Sequence, residues 1–225
     1  MATDSKDLAI RVDEMMLARM PRMEAMLIGT GINPEKFRYL ATSQLAKKDD
    51  AFRAVVQQNP QSFVSAVCEA AEQGLDFSKA NEAHLVPFKD KSGKPVIVLF
   101  RGYKGIAKMA RRSPNVADVE AVTVYEKDLF KVIQGSERKI IHEPPAFGQE
   151  RGEIVGFYAI AFLKSGPPVF DVMSTPGIEH HAHRFIKAMN GPFTAVKNQG
   201  RNAENFEAYG LKTVLVASLV GGCPW

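Results

Sequence analysis

Apolar residues recur at helical spacing along the first third of the chain and at strand spacing after it. Residues 1–7 are polar and read as disordered. From Leu8 to Leu27 the pattern is helical and rich in methionine (Met15, Met16, Met20, Met23, Met26), with Pro21 predicted to break or kink it. Asn33-Pro34 is a helix start, and that helix is predicted to reach about Lys47. Asp49 and Asp50 open a short linker before a helical Ala51–Gln57. Asn59-Pro60 repeats the start signal, and Phe63, Val64, Val67, Cys68 and Ala71 form the apolar stripe of a helix ending at Gly74. From Ala83 the texture changes. Ala83–Phe88 and Pro95–Arg101 read as strands joined by the turn Lys89–Lys94. Val116–Glu126, Phe130–Ile133, Arg138–His142, Gly152–Leu163 and Val169–Met173 are further strands. Ser174 caps a helix predicted to run to about Met189, and a last helix covers about Ala203–Val220. Mixed elements with hairpin connections predict the α+β class. The expected organisation is a helical lobe over 1–78, involved in subunit contacts, and an α+β core over 79–225.

One stretch stands out inside that pattern. Val98–Arg112 begins as an apolar strand, turns at Gly102 and Gly105, and continues with helical spacing. Gly102 and Gly105 are expected there for the backbone angles that glycine tolerates. Tyr103, Ile106, Ala107 and Ala110 fall on one face, and Lys104, Lys108, Arg111 and Arg112 on the other. No acidic residue interrupts the chain between Lys91 and Asp118. A helix surface shaped for stability mixes Glu with Lys at i, i+4. This one is single-signed and suits a polyanion, because each phosphate neutralised releases condensed counterions. Arg101 and Tyr103 sit at the turn, where they could position or stack a nucleotide; plain core packing is the alternative for Tyr103.

Charge is unevenly spread. The whole chain of 225 residues carries a net +4, yet Lys79–Arg112 alone holds nine basic residues against Glu82 and Asp90. The remainder is therefore net acidic, and a local positive field on a near-neutral body steers toward nucleic acid. Hydrophobic residues make up 45% of the chain, enough for a sizeable core without disulfides, and the two cysteines, Cys68 and Cys223, point to a reducing compartment. Cys68 falls on an apolar stripe and reads as a buried small hydrophobe. With no apolar run of about 18 residues and no signal peptide, an intracellular, cytoplasmic location is expected.

Catalytic signatures are sparse. There is no phosphate loop of the ATPase type, and Gly102-Tyr-Lys-Gly105 lacks the third glycine of a dinucleotide fingerprint. His180 and His183, at i, i+3 beside Glu179, could share a metal as a nuclease would require; surface histidines near Arg184 and Lys187 are the alternative. A structural assembly protein of a phage, with the methionine-rich N-terminus as its interface, is a further alternative. The chain is expected to be a binding protein that needs no cofactor.

The chain also resembles the RecT family of phage single-strand annealing recombinases. The resemblance rests on Cys68-Glu-Ala-Ala-Glu-Gln-Gly-Leu-Asp76, Ala83-His-Leu-Val-Pro-Phe88, Arg101-Gly-Tyr-Lys-Gly105 with Ala110-Arg-Arg112, Val124-Tyr-Glu126 with Phe130, His142-Glu-Pro144, and Val172-Met-Ser174 with Ile178-Glu179, in order from about Arg38 to Leu219. It implies ATP-independent binding and annealing of single-stranded DNA in homologous recombination, on a core of antiparallel sheet packed against a helix (βββα). It implies homo-oligomeric rings or filaments, with a phage exonuclease and a host single-strand-binding protein as further partners. It places Arg184 and Lys187 on a basic helix before Gly191-Pro192-Phe193, and Lys212 on the closing basic helix. Lys127, and Lys197 and Arg201 in a basic loop, complete the candidate DNA contacts. Leu211 stands where the family usually carries arginine, and Phe193 where it carries tryptophan. Family members often continue into a polar, partner-binding tail; with the sequence ending at Trp225, a shortened chain and a natural short variant both stay open.

Overall fold

The computed structural model of the chain describes residues 2–186 and 202–220. It divides into two compact units, Met1–Gly105 and Ile106–Trp225.

The first unit opens with α1 (Ala2–Leu17) and α2 (Met20–Leu27), with Pro21 in the first turn of the second helix. The polar residues expected to be disordered are helical from Ala2 onward. Leu8 and Val12 are buried and anchor the helix, and each further turn toward the N-terminus then adds hydrogen bonds at little cost. Met16, Met20 and Met23 are buried inside this unit. α3 (Pro34–Lys47), α4 (Asp50–Gln58) and α5 (Pro60–Glu72) each begin on a side-chain cap. Asn33 accepts from Lys36 N–H, Asp49 from Phe52 N–H and Asn59 from Ser62 N–H. α5 ends at Gly74, whose φ of +57° and bond to the Ala71 carbonyl make a left-handed stop that favours glycine. Phe37, Phe52, Phe63, Leu45 and Leu75 fill the core. β1 (Ala83–Lys89) and β2 (Pro95–Arg101) form an antiparallel hairpin whose inner face buries Ala83, Leu85, Ile97 and Leu99.

A single helix, α6 (Tyr103–Arg111), leads from the first unit into the second. There, β3 (Val116–Tyr125), β6 (Ile154–Leu163) and β7 (Val169–Ser174) make an antiparallel sheet in the order β3-β6-β7. β4 (Leu129–Ile133) and β5 (Lys139–Glu143) form a separate hairpin. α7 (Thr175–Ile186) follows, with Ser174 Oγ accepting from Gly177 N–H, and α8 (Asn202–Val220) closes the unit. Phe157 on β6 meets Phe206 of α8 edge to face, whereas Tyr158 stacks on Phe130 of the hairpin. Neighbouring residues of a strand point to opposite faces, so α8 and the β4–β5 hairpin cover the two sides of the sheet. The fold is α+β with antiparallel sheets, as the sequence predicts, with eight helices and seven strands among the described residues.

Candidate nucleic-acid interface

The β2–α6 junction is built by close backbone approach. Gly102 N–H donates to the Glu82 carbonyl at 3.1 Å, and Lys104 and Gly105 N–H donate to the Asn81 carbonyl at 3.1 and 3.4 Å. A Cβ on Gly102 would lie 2.0 Å from the Asn81 oxygen, and one on Gly105 would lie 2.2 Å from the Glu82 oxygen. Neither glycine has a positive φ. Glycine is needed here for space and not for its backbone angles. The chain's own residues 81–82 fill the gap, and Asn81 caps the first amides of the helix. Glu82 is buried, and its carboxylate accepts from Asp76 N–H at 2.8 Å, which braces the loop under the junction.

α6 turns Ala107 inward and leaves Lys104, Arg111 and Arg112 exposed, with Tyr103, Ile106, Lys108 and Ala110 between those extremes. Lys104 Nζ lies 5.9 Å from the centre of the Tyr103 ring. The arginines that flank the helix are anchored. Arg101 Nε donates to Gln73 Oε1 and Nη2 to Glu69 Oε1. Arg111 Nε donates to Asp118 Oδ1 at 2.6 Å, and Nη2 to the Val119 carbonyl at 2.7 Å. Hydrogen bonding from Arg111 and then from the Val119 amide holds the Asp118 carboxyl below the usual carboxylate range. The remaining candidates lie on other elements. Lys127, in the β3–β4 turn, is exposed and sits 3.8 Å from Glu150. Lys212 is half-buried on α8. Lys187, Lys197 and Arg201, and the side chain of Arg184, lie outside the described residues.

A second polar cluster was not foreseen from the sequence. The Asp128 carboxylate is fully buried and accepts from Arg151 Nε at 2.9 Å, from Arg151 Nη2, and from the Tyr125 amide at 2.8 Å. His142 Nε2 lies 2.9 Å from the same carboxylate, and His142 Nδ1 lies 3.2 Å from the Tyr158 hydroxyl. Arg151 Cζ sits 4.2 Å from the Tyr125 ring centre, and Glu207 on α8 accepts from Thr123 Oγ1 at 2.6 Å and from the Tyr125 hydroxyl at 3.4 Å. This network ties the base of the β4–β5 hairpin to the sheet and the sheet to α8. His142-Glu-Pro144 was visible as a motif, but no local pattern pairs Asp128 with an arginine 23 residues away. At the other end of the hairpin, Arg138 packs 5.0 Å over the ring of Phe170.

The histidines of α7 do not assemble a metal site among the described residues. His180 is exposed, and His181 Nδ1 lies 3.0 Å from the Tyr209 hydroxyl. The side chain of His183 lies outside the described residues. Cys68 is half-buried rather than fully buried, and desolvation pushes its thiol pKa up, away from the reactive thiolate. No described helix is long and apolar enough to cross a membrane.

The chain is 34% identical over 163 residues to Protein RecT of Escherichia coli (strain K12), across 71% of this chain. The chain spans 58% of the length of that curated relative. The model of the RecT family matches residues 35–224, which takes in α6, all seven strands, the buried Asp128 cluster and α8. The chain belongs to the RecT family.

Proposed function

We propose that this protein binds single-stranded DNA without sequence preference and anneals it to a complementary strand without ATP, as a recombination protein of the phage type. The observation that carries the reading is the single-signed basic face of α6, exposed at Lys104, Arg111 and Arg112. Family membership supports it, since the resemblance to the RecT recombinases implies annealing. The chemistry is one of proximity and charge. Two phosphate backbones repel until cations neutralise them, and bases that are to pair must stay uncovered, so contacts go to the backbone. Arg101, Tyr103, Lys104, Lys108, Arg111 and Arg112 carry the DNA, with Lys127, Arg184, Lys187, Lys197, Arg201 and Lys212 as outlying contacts. In this reading the helical lobe joins subunits into a ring or filament in the cytoplasm. A phage exonuclease supplies the single strand, and a host single-strand-binding protein hands it over.

The test is annealing of two complementary oligonucleotides, followed by fluorescence quenching with and without ATP across a salt series. Rapid ATP-independent annealing that weakens steeply with salt is the expected result. Absence of DNA binding at low salt overturns the reading.

A further inference from the structure

Arg111 ends α6, and its guanidinium is fixed in place. Nε and Nη2 donate inward to Asp118 Oδ1 and the Val119 carbonyl, at 2.6 and 2.7 Å. Asp118 is fixed in turn, because the same Oδ1 accepts from the Val119 amide at 2.7 Å. Both acceptors belong to β3, so strand backbone sets the plane of the guanidinium. A guanidinium is a rigid fork with five N–H donors. Two are engaged by β3, and the three at the Nη1–Nη2 end are left. That end matches two oxygens of a phosphate in bidentate fashion. The side chain is 48% exposed and Asp118 47%, so the pair stands at the surface. Arg101 is held along the same Nε–Nη2 edge by Gln73 and Glu69.

We propose that Asp118 is a positioning residue for DNA: it holds Arg111 so that the Nη1–Nη2 end of the guanidinium meets a phosphate of the single strand. This rests on the reading of α6 as the DNA face. An unheld arginine loses much rotamer freedom when it docks, and Asp118 removes that loss in advance. The opposing effect is repulsion between the Asp118 carboxylate and the phosphate. Pairing with Arg111 at 2.6 Å offsets it. Charge alone says that deleting Asp118 tightens DNA binding; positioning says that it weakens it. The two signs are opposite.

The experiment uses the full chain with a fluorescent oligothymidine, reading anisotropy across a sodium chloride series, with unfolding midpoints measured in parallel. Arg111→Ala is expected to weaken binding and to flatten the salt slope by about 0.7, one single-strand phosphate contact. Asp118→Ala is expected to weaken binding by about three-fold, and the double variant to bind as Arg111→Ala alone does, because one residue acts through the other. Asp118→Asn, which keeps an oxygen acceptor and drops the charge, recovers at least half of that loss. Binding by Asp118→Ala as tight as the parent or tighter overturns the proposal. So does a loss that persists in the Arg111→Ala background, which marks a merely structural role. If the parent binds DNA and Arg111→Ala binds equally well, this inference falls and the DNA-binding reading stands. If the parent does not bind DNA at low salt, both fall.

Discussion

Asp128 shows how much one side chain can hold. Its carboxylate has no exposed surface and gathers Arg151, His142 and the Tyr125 amide around it. Removing the charge leaves Arg151 facing a neutral partner in a largely desolvated site. Asp128→Asn is expected to cost about 2–3 kcal/mol in urea unfolding, below the ~3–5 of a fully buried pair because Arg151 keeps 35% exposure. The same group sets an acid limit. Hydrogen bonds from Arg151, then from His142 and the Tyr125 amide, hold its pKa well below the ordinary carboxylate value. The unfolded chain therefore takes up a proton near pH 4 where the folded one does not. The stabilisation is complete above that pH and is lost as pH falls below it. Unfolding midpoints measured from pH 6 down to pH 3 should show a steeper loss for the parent than for Asp128→Asn. None of this is legible from the residue itself, because its partners His142 and Arg151 lie 14 and 23 residues away.

Elements were more legible than their packing. The caps at Asn33 and Asn59 and the Gly74 stop lie where the local sequence places them, because each is satisfied within four residues; Asp49, read as the start of a linker, instead caps α4, which already includes Asp50. Gly210 is the counter-example. It sits inside α8, where helix propensity alone favours alanine by about 1 kcal/mol. A Cβ there would come within 2.5 Å of the Phe157 ring on β6. Overpacking of that kind costs about 1–3 kcal/mol. Gly210→Ala is therefore expected to lower the unfolding midpoint, and a companion Phe157→Leu should recover part of the loss. A midpoint that rises in Gly210→Ala alone would show that α8 can shift off the sheet. The same holds at the β2–α6 junction, where the local sequence predicts glycine at 102 and 105 but the reason is the backbone of residues 81–82 lying against it.

For the molecule as a whole, charge placement is the functional variable. The basic run over residues 79–112 is a property of the linear chain, and α6 concentrates part of it on one helix. Reversing Lys104 and Lys108 together to glutamate should weaken binding to oligothymidine at least ten-fold and flatten its salt slope by about 1.4, two single-strand contacts. Unchanged affinity and slope in that variant would remove α6 from the DNA face. The methionines of α1 and α2 bear on assembly. Met16, Met20 and Met23 serve the core of their own unit, so any subunit contact made by the lobe must use other side chains. Substituting Met16→Ala should thus act first on stability, by about 2–4 kcal/mol, with loss of assembly following unfolding and not preceding it.

What the sequence by itself determined is local in origin. The switch from helical to alternating apolar spacing near Ala83, the capping residues and the uninterrupted basic stretch all act over a few residues, so a linear reading reaches them. What only the tertiary structure decided is which charge meets which. Arg111 and Asp118 are 7 residues apart, Arg151 and Asp128 are 23, and Arg101 and Glu69 are 32. Each pair needs the fold to bring it within hydrogen-bonding distance. The same holds for the glycines at 102, 105 and 210, since the atoms that forbid a side chain at each belong to another element. Local free energies are written in the order of residues; the meeting of distant groups is written in the packing of strands and helices against one another.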